Sequence, residues 1–316
     1  MPDPVLPSDL IARFRADLAT LLGDIESLRL GVAVSGGPDS LALLLLAGAA
    51  LPGRVVAATV DHGLRVEAEA EAGFVADICA AHDIPHETLR VSVRTAGAGL
   101  QAAAREARYA ALESWRSRSA CDVIATAHHA DDQAETLLMR ANRGAGVGGL
   151  AGIRPRNGTI VRPLLSWRRA ELATIVSAAG VIPVSDPSNS DPRFDRSRIR
   201  ALLSTASDFD VPGLATSAAR LADAAEALEW MADRLWPDRA IVLDQEIRLD
   251  TAGLPNEIIH RLVRRALAML GYTGRADRIA PLIARLRAGK SASIGAILAR
   301  SGAVWTFGEA PRRRQR

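Results

Sequence analysis

Residues 31–44 read Gly31-Val32-Ala33-Val34-Ser35-Gly36-Gly37-Pro38-Asp39-Ser40-Leu41-Ala42-Leu43-Leu44. The short apolar run Gly31-Val32-Ala33-Val34 has the character of a buried strand. Ser35-Gly36-Gly37 is turn chemistry, Pro38 suits the first position of a helix, and an apolar helical run follows. Two glycines free the backbone to aim its N–H groups at a ligand, and the helix N-terminus adds partial positive charge. Strand, tight turn and helix in that order make a phosphate cradle. Taken alone, the same residues also read as a capped turn with no ligand.

The pattern repeats outward. Strands are expected at 28–35, 54–61, 87–93 and 121–127, and helices at 39–50, 66–82, 100–117 and 132–142. Together they predict an α/β fold, a doubly wound parallel sheet. Two further strands run into polar clusters, Asp61-His62-Gly63 and His128-His129-Ala130-Asp131-Asp132. In an open parallel sheet, ligands sit beyond the carboxyl ends of the strands, so three such ends point to one nucleotide-type crevice. The turn lacks the lysine of a Walker A loop. The chain's Gly289-Lys290-Ser291 has Ala284 where that motif needs glycine, which disfavours an ordinary P-loop NTPase.

Asp132 and Glu135 are three apart at the start of a helix, on one face, able to grip an ammonium group or a metal ion. They read equally as a cap, with Asp132 at the N-cap and Glu135 third in the helix. Arg105 and Arg108 share a face of the helix at 100–117 and are either solvated or placed to hold phosphates. His62, His128 and His129 lack a third partner at zinc spacing. The glycine-rich stretch 143–149 is expected to be a loop over the sheet's edge. A domain boundary is expected near residue 205, followed by a helix at 214–235.

The chain has 316 residues, 48% of them apolar, enough for two domains. Two cysteines, Cys79 and Cys121, exclude a disulfide framework and suit a reducing compartment. The longest apolar run, 41–51, is about half a bilayer span, and Met1 to Pro7 carry no leader signal, so a cytoplasmic protein with no membrane partner is expected. Net charge is +3 overall, but −6 over residues 1–150 and +9 over 151–316. Residues 261–316 hold 13 basic and 2 acidic side chains, nearly all guanidinium, a composition suited to a polyanion. The final six residues read best as a solvated tail.

Ser35-Gly36-Gly37-Pro38-Asp39-Ser40 resembles the PP-loop of N-type ATP pyrophosphatases. Several further motifs resemble the tRNA(Ile)-lysidine synthetase family: Asp61-His62-Gly63-Leu64-Arg65, Ala107-Arg108-Tyr109, His129-Ala130-Asp131-Asp132-Gln133-Ala134-Glu135-Thr136, Arg143-Gly144 with Gly149-Leu150, Arg162-Pro163-Leu164-Leu165 and Asp186-Pro187-Ser188-Asn189. The resemblance implies a catalytic domain over 1–205 and a smaller, mainly helical, C-terminal tRNA-binding domain over 206–316. The implied reaction uses ATP and Mg2+ to adenylate the C2 oxygen of the wobble cytidine in tRNA(Ile) with a CAU anticodon. Free L-lysine then displaces AMP to give lysidine.

By the same resemblance, Ser35, Gly36, Gly37, Pro38, Asp39 and Ser40 hold ATP phosphates and Asp39 meets Mg2+. Asp61 and His62 lie near the adenosine, and Arg108, with Arg105, stabilises charge on the α-phosphate. Asp132, Glu135 and Arg196 bind lysine, and Arg196 and Arg200 face tRNA. A homodimer is allowed. Ser197 departs from the asparagine that usually follows Arg196 in the family. The alternatives are another PP-loop tRNA-modifying enzyme such as a 2-thiolase, which needs reactive cysteines, or a non-catalytic nucleotide- or RNA-binding module.

Overall fold

The computed structural model describes residues 6–63, 68–92, 100–184, 195–205 and 208–310. The motif at 186–189, Leu64 and Arg65, and the arginine tail at 311–316 lie outside the described residues. The chain forms two compact units, Met1–Ala222 and Asp223–Arg316.

The first unit is built on the strands β1 (Leu30–Ala33), β2 (Val55–Asp61), β3 (His86–Arg90), β4 (Val123–Ala125), β5 (Arg156–Asn157) and β6 (Ile160–Val161). Their order is β3-β2-β1-β4-β6-β5, parallel throughout except for the β5–β6 edge pair. The helices are α1 (Ser8–Leu22), α2 (Pro38–Ala50), α3 (Ala68–Ala81), α4 (Leu100–Arg118), α5 (Ala130–Ala141), α6 (Val147–Leu150), α7 (Arg169–Ala178), α8 (Asp195–Thr205) and α9 (Val211–Arg239). The doubly wound sheet expected from the alternating pattern is therefore the observed one.

The chain winds outward from β1 through β2 to β3, then returns to place β4 on the other flank of β1. That reversal is the topological switch point, where the loops after β1 and β4 part and leave a crevice. Register brings the strand ends level: Ala33 faces Ala58, and Val32 faces Ala125. The run that reads Leu41-Ala42-Leu43-Leu44-Leu45-Leu46-Ala47 has no polar face because α2 is covered on every side, and all seven residues are buried. Gly31 lies where α4 crosses the sheet; a Cβ there would come within 2.9 Å of the Trp115 ring.

Three local expectations change. Helix α5 begins earlier than 132, with His129 as N-cap and Asp132 at the third helical position, so the capping box is His129 with Asp132 and leaves Glu135 outside it. The glycine-rich stretch is not all loop: residues 147–150 form the short α6, after a turn that Gly144 makes at φ +68°. The division between units falls within α9 and not near 205. The first turns of α9 pack with the first unit, where Ala218 lies against Gly152 and Arg154 Nη1 donates to the Ala222 carbonyl at 3.2 Å.

The second unit holds the rest of α9, α10 (Asn256–Met269) and α11 (Ile279–Arg287). It also carries a five-stranded antiparallel sheet that the sequence pattern did not reveal, ordered β7 (Ala240–Val242), β8 (Glu246–Leu249), β11 (Trp305–Glu309), β10 (Ile297–Arg300) and β9 (Ala292–Ile294). These strands have three to five residues each, too short for a period of two to stand out. Leu262, Ala266 and Leu267 of α10 bury against Ile247, Leu249 and Phe307.

Candidate functional site

The turn after β1 is held by its own side chains. Ser35 N donates to Ser40 Oγ at 3.1 Å, and Ser40 Oγ donates to the Gly37 carbonyl at 2.9 Å. Gly36 sits at φ +81°, and its carbonyl accepts from Val184 N at 3.0 Å. Asp39, in the first turn of α2, has a buried Oδ1 with no hydrogen-bond partner among the described residues.

Gly36→Ala is expected to strain this turn, since the left-handed region costs a residue with a side chain about 1–2 kcal/mol and the new Cβ would press on Val184 Cγ2 at 3.3 Å. The melting temperature should fall by about 2–8 °C and ATP binding should weaken, both read by thermal unfolding with and without nucleotide. Parental behaviour in both would show that the turn tolerates a side chain.

Two cavities open on the turn. The larger, about 560 Å³, is lined by Ser35, Gly37, Pro38, Asp39 and Ser40 together with Asp61, His62 and Arg108. The smaller, about 310 Å³, is lined by Ser35, Asp39, Ser40, Arg105, Arg108, His128, Asp132, Arg196 and Arg200. Ser35, Asp39, Ser40 and Arg108 belong to both, so cradle and acidic side share one cleft with Arg108 between its lobes. The Arg105 guanidinium lies over the Tyr109 ring, 4.9 Å from its centre. Partial burial and the Arg108 charge hold His62 below its ordinary pKa.

The acidic pair is not a bare anionic pocket. Arg196 spans it, Nη2 donating to Asp132 Oδ1 and Nε to Glu135 Oε2, each at 2.7 Å. Arg200 Nε donates to Glu135 Oε1 at 2.8 Å, and Arg169 Nη2 reaches the same oxygen at 3.4 Å. Glu135 is 1% exposed and does not line the cleft, whereas Asp132, at 9%, does. Burial opposes the charge on Arg196, but Asp132 and Glu135 more than offset it and raise its pKa. Asp131 is likewise occupied, by Arg168 Nε at 3.1 Å and Arg169 N at 2.8 Å. Arg168 and Arg169 escaped the sequence reading because no local spacing links them to α5, more than thirty residues earlier.

His128 completes the smaller cavity, with its Nδ1 3.0 Å from Thr126 Oγ1. Burial first, then the charges of Arg162, Arg196 and Arg105, lower its pKa from 6.5 to about 4 against the opposing pull of Asp132. Between those two values the unfolded chain takes up a proton that the folded chain refuses, so stability falls as pH drops through this window. The loss should reach on the order of 3 kcal/mol at its lower end. Chemical denaturation from pH 7 to 4 should show a shallower decline for His128→Gln than for the parent. Parallel declines would remove His128 as the cause.

A family model described as a PP-loop domain matches residues 10–206. The tRNA(Ile)-lysidine synthase of Novosphingobium aromaticivorans is 45% identical, across 97% of this chain and 96% of its own length. The chain belongs to the tRNA(Ile)-lysidine synthase family. A second synthase, from Zymomonas mobilis, is 41% identical across 96% and 94% of the two chains. Among solved structures, the U34-tRNA thiolase NcsA from Methanococcus maripaludis superposes with a TM-score of 0.56 at 17% identity, covering 69% of this chain and 80% of its own, which places the two in one fold. Among the described residues, no helix is long and apolar enough to cross a membrane.

Proposed function

We infer that this chain is a lysidine synthase: it uses ATP to adenylate the C2 oxygen of the wobble cytidine of tRNA(Ile) with a CAU anticodon, and then joins free L-lysine at C2 with release of AMP. The observation that carries this reading is the shared cleft, in which the phosphate-type turn and Asp132 line one space with Arg108 between them. An activated pyrimidine and an incoming amine must meet within a few ångströms, which a single cleft allows.

In this reading the N–H groups of the turn at 35–40 hold the phosphates of ATP, and Asp61 and His62 flank the adenosine. Arg108, reached from both lobes, faces the α-phosphate as the C2 oxygen attacks and pyrophosphate leaves, with Arg105 beside it on α4. The orphaned Asp39 Oδ1 fits a hard cation, and magnesium is commonly held by one or two carboxylates plus substrate phosphates. When bound, that ion neutralises phosphate charge.

Asp132 meets the lysine ammonium from the cleft, and Glu135, buried behind it, adds its charge as the pair exchanges partners. With Arg196, Arg200 and Arg169 already on the pair, another cation enters only as a guanidinium leaves. The released Arg196 and Arg200 then face tRNA phosphate. Residues 206–316 supply the remaining basic surface, and tRNA affinity through it should fall steeply with salt. The protein works in the cytoplasm, and a homodimer is compatible with this scheme.

A thiolase reading is less favourable, because burial pushes the Cys79 thiol up to about 12 and raises that of Cys121 too. A non-catalytic module would bind ATP and yield no AMP. The deciding experiment incubates the protein with ATP, magnesium, labelled lysine and the CAU-anticodon tRNA, then digests the tRNA. Labelled lysidine is expected, and its absence with active tRNA and bound ATP would overturn the assignment.

A further inference from the structure

His129 takes no part in the steps above, yet its side chain is fully buried between the two sides of the cleft. Its Nδ1 accepts the backbone N–H of Asp132 at 3.3 Å, which leaves the ring proton on Nε2. That Nε2 is buried and, among the described residues, has no hydrogen-bond partner. Two carboxylate oxygens flank it, Asp39 Oδ2 at 3.4 Å and Asp132 Oδ2 at 3.6 Å. Asp131 approaches the other nitrogen at 3.7 Å and is held by Arg168 and the Arg169 N–H. Asp39 carries an orphan of its own, Oδ1.

Buried polar groups nearly always find partners, so a ring N–H 3.4 Å from a carboxylate oxygen but not aimed well enough to bond it marks an interaction completed by a small shift or turn of the groups. The two flanking carboxylates have different duties. Asp39 belongs to the first turn of α2, in the cradle, and Asp132 to the first turn of α5, on the acidic side.

We propose that His129 is a positioning residue whose Nε2–H is shared between Asp39 and Asp132 and ties the phosphate cradle to the amine-side carboxylate. Drawing Asp39 onto Nε2 steadies the ring that caps α5, and through the cap it steadies Asp132. The cradle's occupancy is thereby felt where lysine is held. The proposal rests on the reading of the cleft as a lysidine synthase site and adds the link between its halves.

Two variants of the full chain separate the ring's nitrogens. His129→Asn keeps an oxygen near the Nδ1 position, preserving the cap, but leaves nothing at Nε2. His129→Gln carries an amide N–H out to the Nε2 position and gives up the cap. Melting temperature is read beside kcat and lysine KM for lysidine formation. His129→Asn should melt close to the parent while kcat falls about 10- to 100-fold, as for other outer-shell groups that orient reacting ones. His129→Gln should melt lower yet turn over faster than His129→Asn.

A helix cap alone predicts the opposite order. A parental kcat in His129→Asn, or a His129→Gln no faster than it, overturns the proposal. The parent's own lysidine yield tests the underlying reading separately, since a parent that makes none fails before any variant is compared.

Discussion

Asp39→Ala is expected to abolish tRNA-dependent release of pyrophosphate, with a loss of at least about 10³-fold, while leaving the fold intact. The carboxylate sits in the first turn of α2, lines both lobes of the cleft, and leaves Oδ1 buried without a partner among the described residues. Burying a carboxylate oxygen unpaired is unfavourable, and such groups persist where a ligand completes them. In the proposed reading, removing it deletes the oxygen assigned to a cation at the phosphates, the kind of group whose loss is felt chiefly in the transition state. It also removes a source of strain, so the melting temperature should hold or rise. Pyrophosphate release measured beside thermal unfolding separates the two effects. Release within tenfold of the parent would show that the cradle reading is wrong.

Asp132→Asn and Glu135→Gln should both abolish lysidine formation, by at least about 10²-fold, and part company in stability. Asp132 lines the cleft and gives one oxygen to Arg196 and the other to the His129 N–H, so its amide isostere loses charge at the place proposed to hold an ammonium. Glu135 lies under Arg196, Arg200 and Arg169. Glu135→Gln leaves those guanidiniums without their shared counter-charge. Breaking a fully buried pair costs about 3–5 kcal/mol, and because these arginines reach solvent we expect about 1–3 kcal/mol. Nucleotide titration should be nearly unchanged for both, since neither residue lines the larger lobe. Lysine incorporation at the parental rate in Asp132→Asn would sink the ammonium assignment, whereas an unaltered melting temperature in Glu135→Gln would contradict the ion-pair cluster.

Much of the site was legible because its parts are contiguous. The turn at 35–40, the end of β2 at Asp61-His62 and the start of α5 each sit where an apolar strand meets polar residues, a junction that local pattern reveals. The capping question at α5 was not settled by spacing. Asp132 and Glu135 fit a box as well as His129 and Asp132 do, and in the fold the box is His129 with Asp132, next to Ala130, whose N–H is tied to the distant Trp167 carbonyl at 2.8 Å.

The short strands of the second unit went unseen for a different reason. Three-residue strands carry too few alternations to be read singly and are held by neighbours distant in the chain, as β8 is by β11.

The order of residue types along the chain was therefore enough for the sheet, the turn at 35–40 and the convergence of three strand ends, because each depends on interactions among residues a few positions apart. The fold alone decided which charges neutralise one another. Arg196 and Arg200 meet Glu135 across more than sixty residues, and His129 comes between Asp39 and Asp132 only once β1, which leads into α2, and β4, which leads into α5, lie side by side. Long-range electrostatic partners are set by packing, and packing is a property of the whole core that no local window contains.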